Sequence, residues 1–278
     1  VRAFTVAAIQ MRSTDDRERN LDTAEALAEE AADAGAHVIA FPENVVDVRA
    51  EGRARPPAET LGGPTARRFA TMAVRHRAFI LAGTIGLRNP SGRKRANASV
   101  LFTPAGAIAA VYRKMHLFDV AIPGHAVFRE SGTVAAGDTP IVAKTPFGVF
   151  GLSICYDLRF PELYRHLALA GAEVLFVPSA FTAYTGRAHW TALLRARAIE
   201  NLAYVVAPAQ WGLHHPGRRS YGHTCVIDPW GRVLAERARG AGVVLARIDL
   251  TRVARIRREL PALSHARRKL LGLQRDAG

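Results

Sequence analysis

Short runs of β-forming apolar residues alternate with amphipathic helical segments along nearly the whole chain, and this alternation narrows the available folds more than any other feature. Residues 4–11, FTVAAIQM, read as a buried strand. Residues 18–34 read as a helix with Leu21, Ala24, Leu27, Ala28 and Ala31 on one face, closed by Gly35. AHVIAFPEN follows as a strand ending at Pro42, Pro64 opens a second helix, and FILAGTI (79–85) is the next strand. ASVLFT, the turn PAGA and IAAVYRK then form a hairpin that stops at Lys114. The second half repeats the plan with VFGLSIC, a helix over about 160–170, AEVLFVPSA, a helix over 189–203 and AYVVAPAQ. TCVIDPWGRVLAE reads as a hairpin turning at Pro229–Gly231, GVVLARIDL as a strand, and the basic C-terminal stretch as a helix. Two strand endings rhyme, IAFPEN and LFVPSA. The expected fold class is therefore α/β, built as two similar halves, with helices packed outside sheets that are partly antiparallel.

The 278 residues, 49% of them hydrophobic, suffice for one large core, and no low-complexity linker divides them. A single domain over 1–278 is expected. No apolar run is long enough to span a bilayer, and VRAFTVAAIQ lacks the order of a signal peptide, so no membrane partner and a cytoplasmic place are expected. Cys155 and Cys225 are the only cysteines and read as free thiols. The formal charge of +14 raises the possibility of nucleic-acid binding. The charge is scattered, however, and its densest stretches, RVARIRREL, ARRKLL and RNPSGRKR, carry no interleaved aromatic platform. A basic solvated surface is the plainer reading, and no nucleic-acid partner is expected.

Three reactive side chains fall where predicted strands end: Glu43 after VIAF, Lys114 after IAAVYR and Cys155 after VFGLSI. Each alone has an ordinary structural explanation, as a loop carboxylate, a solvated strand end and a buried small hydrophobe. Together they form a chemical set. A thiol attacks as thiolate, so it needs a base and a nearby cation to lower its pKa, and a carboxylate and an ammonium supply both. The lysine is informative because only four lysines (Lys94, Lys114, Lys144, Lys269) stand among thirty-four arginines. A compact ammonium can stay beside sulfur and then stabilise an oxyanion.

FPEN, YRKMHLFD and CYDLRFPEL resemble the three signature segments of the nitrilase, or carbon–nitrogen hydrolase, superfamily, and the likeness continues through PSAFTAYTGRAHWTALLRARAIEN, SYGHTCVIDPWG and LARIDL. The resemblance implies a four-layer α-β-β-α sandwich that forms a homodimer or a dimer-based oligomer, with the segment from about 251 contributing to the subunit interface. It implies a Glu–Lys–Cys triad in which Cys155 is the nucleophile, Glu43 the general base and Lys114 the oxyanion stabiliser. It adds Glu130, in VFRES, as a second glutamate, and the backbone N–H of Tyr156 as a second oxyanion donor. Neither cofactor nor metal is implied. Within the superfamily the chain is most similar to the amidase branch that holds deaminated glutathione amidases and omega-amidases. The implied reaction is hydrolysis of a small ω-amide carrying a carboxylate to acid and ammonia through a cysteine thioester. Deaminated glutathione is the first expected substrate, α-ketoglutaramate the second and a nitrile the third. The branch also implies that Arg159 grips the substrate carboxylate, the alternative being a pair with Glu162, and that Phe181 and Thr185 line the pocket.

His214, His215, His223 and Cys225 lack a recognised zinc spacing, and the last two read as entering a strand. Arg195, Arg197 and Glu200 in RARAIEN sit among apolar residues, which suggests buried pairing or a subunit interface.

Overall fold

The structure, a computed structural model, describes residues 3–50, 53–89, 92–121, 127–267 and 272. Lys269 and the end of ARRKLL lie outside the described residues, as do Pro90 and Ser91 of the basic loop. The first half runs β1 (Ala3–Gln10), α1 (Arg17–Asp33), β2 (Val38–Ala40), α2 (Pro64–His76), β3 (Phe79–Leu81), β4 (Ile85–Leu87), β5 (Arg95–Phe102) and β6 (Ile108–Arg113). A short hairpin, β7 (Asp119–Ala121) with β8 (Val127–Arg129), and β9 (Val134–Ala135) lead to the second half. There follow β10 (Ile141–Thr145), β11 (Gly148–Leu152), α3 (Pro161–Leu169), β12 (Val174–Phe176), α4 (Ala183–Asn201) and β13 (Tyr204–Ala207). The chain closes with β14 (Trp211–His215), β15 (Arg218–Tyr221), β16 (Thr224–Ile227), β17 (Val233–Arg237), β18 (Gly242–Asp249) and α5 (Leu250–Glu259).

Two sheets result. One has the order β18-β1-β2-β3-β5-β4, with β6 and β9 also paired to β5; the other has the order β10-β11-β12-β13-β16-β17. Side chains that alternate along β1 separate the layers. Phe4, Val6 and Ala8 join the core that holds the second sheet, α3 and α4, whereas Ala7 and Ile9 join the core under α1 and α2. The predicted face of α1 is the buried one, with Asn20 added to it. The architecture is thus α-β-β-α in four layers. β18 returns to the first sheet and runs antiparallel to β1 over eight residue pairs, from Ala3–Asp249 to Gln10–Gly242.

Several boundaries differ from those read in the sequence. FILAGTI is two strands, because Gly83 breaks it: φ is +57°, and a Cβ there would stand 2.0 Å from the Pro42 carbonyl oxygen. The helix predicted from 189 begins at Ala183, where the Thr182 side chain accepts from the Thr185 N–H. Cys155 does not end a strand. β11 stops at Leu152, and Cys155 opens a 3-10 helix over Cys155–Arg159 with its own φ at +47°. The strand β10 and the hairpin β14–β15 were not anticipated. Part of the basic C-terminal run is structural: Arg257 donates to the carbonyls of Leu202, Ala172 and Asn201, and Arg252 pairs with Asp228 at 2.7 Å. No helix among the described residues is long and apolar enough to cross a membrane.

Candidate active site

The rhyming segments meet. After β2, Phe41 and Pro42 deliver Glu43; after β12, Val177 and Pro178 deliver Ser179 and Ala180 on the facing sheet. The Ala180 N–H donates to Glu43 Oε2 (3.0 Å), and the Pro178 carbonyl accepts from the Cys155 N–H (3.0 Å). Gln210, beyond β13, donates from Nε2 to the Glu43 carbonyl (3.1 Å) and to Ser13 Oγ (2.8 Å). Lys114 comes from the end of β6, its N–H held by the Asn97 carbonyl.

Glu43, Lys114 and Cys155 are 3%, 2% and 7% exposed, so charge interactions among them are little screened. Lys114 Nζ lies 2.8 Å from Glu43 Oε1 and 2.8 Å from Glu130 Oε2. Asn97 Nδ2 donates to both glutamates, at 3.1 and 3.2 Å, and the Phe118 N–H completes the set on Glu130 Oε2 (2.8 Å). Burial pushes the Glu43 carboxyl up, but the Lys114 charge and hydrogen bond, with smaller contributions from Cys155 and Arg218, outweigh it and hold the pKa below the ordinary value. Burial acts downward on Lys114, yet Glu130, Glu43 and the Cys155 sulfur keep it well above its usual value. Cys155 moves the other way from expectation. Burial and the Glu43 charge push the thiol well above its ordinary pKa, and Lys114 offsets only part of this. These directions leave carboxylate, ammonium and thiol as the resting set.

The turn that presents Cys155 is tied from within. Asp157, fully buried, accepts from Tyr112 Oη (2.8 Å), from the Ile154 N–H (2.8 Å) and from the His116 N–H (3.0 Å), and His116 Nδ1 stands 2.7 Å from it. Arg197, which is buried, adds two donors to the Leu158 carbonyl and pairs with the half-buried Glu200 at 2.8 Å, so RARAIEN contains an ion pair that braces this turn. Such a network can hold Cys155 at its unfavourable positive φ. Tyr156 follows in the first turn of the 3-10 helix, where backbone N–H groups have no intrahelical partner.

A cavity of about 740 Å³ opens from the three residues, and Glu130, Tyr156, Phe181 and Thr185 line it with them. Arg159 is not among its lining residues. Its guanidinium stacks 5.1 Å from the Phe181 ring and 5.8 Å from that of Tyr156, and Nη1 lies 3.2 Å from His189 Nδ1. No ion pair joins it to Glu162 among the described residues. Sequence reading missed Asn97, the Ala180 N–H and Arg218. Asn97 stood in the polar loop just ahead of the predicted strand ASVLFT, a backbone donor leaves no mark, and Arg218 stood in a segment from which no site residue was drawn.

That segment is the hairpin β14–β15, which packs beside the cavity. His214 bridges Ser13 and Ser220, with Nδ1 2.7 Å from the Ser13 carbonyl and Nε2 2.9 Å from Ser220 Oγ. Burial, with Arg218 and His215 nearby, pushes its pKa down from 6.5 to about 4. Because the folded value lies below the unfolded one, the unfolded chain takes the proton first; the contribution is complete above about pH 6.5 and is lost toward about pH 4. The urea midpoint of the wild type is therefore expected to fall more between pH 7 and pH 4.5 than that of His214→Gln. Equal falls in both proteins would refute this.

The family model described as carbon-nitrogen hydrolase matches residues 5–258, and the chain belongs to that family. It is 43% identical over 270 residues to the deaminated glutathione amidase of Synechocystis sp., covering 95% of this chain and 98% of the relative. It is 44% identical over 279 residues to the human deaminated glutathione amidase, covering 96% and 83%. Among solved structures, the C. elegans NitFhit protein superposes with a TM-score of 0.87 at 37% identity, covering 96% of this chain and 66% of that longer one.

Proposed function

We propose that the chain is an amidase that hydrolyses deaminated glutathione through a thioester on Cys155. The observation that carries the reading is the buried Glu43–Lys114–Cys155 cluster, with a carboxylate and an ammonium fixed beside a thiol at the floor of a cavity. The resemblance of the whole chain to deaminated glutathione amidases supports the substrate.

Glu43 takes the proton from Sγ as sulfur bonds to the amide carbon, and Lys114 Nζ with the Tyr156 N–H holds the oxygen that becomes negative. Glu43 returns the proton to the amide nitrogen, the C–N bond breaks and the amine departs. Water then gives a proton to Glu43 and attacks the thioester; the C–S bond breaks, the acid leaves, and the proton returns to sulfur. Glu130 holds Lys114 between two carboxylates so that the ammonium keeps its charge throughout. The chemistry of these steps calls on no cofactor. In deaminated glutathione the amide nitrogen belongs to cysteinylglycine, so that dipeptide is the amine released; ammonia leaves only from a primary amide such as α-ketoglutaramate. A cavity of about 740 Å³ favours the larger amide.

Two free cysteines support a reducing, cytoplasmic place. A dimer belongs to the same reading. Ile199 and Trp230 are 47% and 61% exposed, and Gly231, next to Trp230, lies against the Ile199 side chain, which offers apolar surface for such a contact.

The test is a comparison of kcat/KM on deaminated glutathione, α-ketoglutaramate and a nitrile of similar size, following cysteinylglycine, ammonia and acid separately. Deaminated glutathione is expected to exceed both others by about tenfold or more. Faster turnover of the nitrile, or turnover of neither amide, would overturn the reading.

A further inference from the structure

Among the described arginines that line the cavity, Arg218 is the one whose Nε is buried without a hydrogen-bond partner. It enters from β15 and lines the cavity together with Glu43, Phe128 and Glu130. Its Cζ lies 4.9 Å from the centroid of the Phe128 ring, which gives the planar cation a flat face to rest on. Its Nε is buried and has no hydrogen-bond partner, and Arg218 forms no ion pair among the described residues. Buried donors of a charged group are nearly always satisfied, so a guanidinium left in this state fits an anion that arrives with the substrate. The nearby carboxylates are already engaged: Glu43 by Lys114, Asn97 and the Ala180 N–H, and Glu130 by Lys114, Asn97 and the Phe118 N–H.

The position also identifies which half of the substrate Arg218 faces. In the steps above Glu43 hands its proton to the departing nitrogen, so the amine half must stand on the Glu43 side. Arg218 is on that side: its hairpin is tied through His214 Nδ1 to the Ser13 carbonyl (2.7 Å), and Ser13 Oγ donates to the carbonyl of Val45 (2.8 Å), in the segment that follows Glu43. Arg159 lies elsewhere, behind Phe181 and Tyr156. The hairpin that carries Arg218 is firmly seated, with the Tyr221 N–H donating to the Phe181 carbonyl (2.9 Å) and His214 bound to Ser220 Oγ (2.9 Å). We propose that Arg218 is a specificity residue that binds a carboxylate on the amine half of the substrate, an inference that rests on the amidase reading.

The experiment is a cycle of two enzymes and two substrates: wild type and Arg218→Gln, each with deaminated glutathione and with its derivative whose terminal carboxylate is a carboxamide. Arg218→Gln is expected to lower kcat/KM on deaminated glutathione about 10²-fold, mostly through KM. The carboxamide is expected to cost the wild type a similar factor, and the variant at least tenfold less. Arg218→Lys, which keeps the charge without the planar fork, should recover part of the loss. Equal losses by Arg218→Gln on both substrates, or no loss on either, would overturn the proposal while leaving the amidase reading intact. If the wild type turned over neither substrate, it would be the amidase reading that failed.

Discussion

Replacing Cys155 by alanine is expected to lower kcat on the preferred amide by at least about 10⁴-fold while moving the melting temperature by only a few degrees. The sulfur is the one nucleophile placed beside both Glu43 and Lys114, and the removed atom is small, so the cavity left behind is small. Alanine meets the same positive φ as cysteine at 155, and the bonds that hold the turn come from Asp157 and Arg197, which the substitution leaves in place. Steady-state turnover with a parallel thermal melt checks both halves of the expectation. A Cys155→Ala protein that kept more than about 1% of wild-type turnover would remove the thioester from the mechanism.

Lys114→Met is expected to abolish measurable turnover and, unlike the cysteine variant, to destabilise the fold by about 3–5 kcal/mol. The ammonium lies between Glu43 and Glu130 at 2.8 Å from each, and without it two carboxylates share Asn97 in a buried space. One of them must then take a proton, which raises its pKa and makes the variant lose more stability as pH rises. Removing the second charge as well, in Lys114→Met with Glu130→Gln, should restore part of the stability and none of the activity. Urea unfolding of the single and double variants measures the difference. A single variant within about 1 kcal/mol of wild type would mean that the glutamates are not held as this structure places them.

The residues that do the proposed chemistry could be read from the chain because each follows an apolar strand and breaks its pattern: Glu43 after Pro42, Lys114 in an arginine-rich protein, Cys155 before a charged cluster. What holds them could not. Asn97 looks like the end of a polar loop ahead of the strand ASVLFT, and its amide becomes decisive only when two glutamates from distant segments reach it. Asp157 stands between two candidate residues in CYDLRFPEL without drawing notice, yet it is fully buried and collects four contacts. The same inversion holds for Arg257, whose place in a basic run hides its role in satisfying three carbonyls. Periodicity reports which face of an element is apolar and says nothing about a polar group that will be buried with its partners. The thiol's resting state was misjudged for a related reason. Neighbouring charges can be inferred from a motif, but the depth of burial that opposes them comes only with the fold.

The pairing of β1 with β18 has a consequence for how the protein is made. β1 leaves the ribosome long before its antiparallel neighbour, residues 242–249, because most of this chain lies between them. At synthesis rates of about 5–20 residues per second, one edge of β1 waits on the order of ten to fifty seconds for its partner. During that interval an apolar strand with unpaired backbone groups is open to another chain. The nascent chain is thus the form most exposed to aggregation, and any truncation that removes 242–249 makes that exposure permanent.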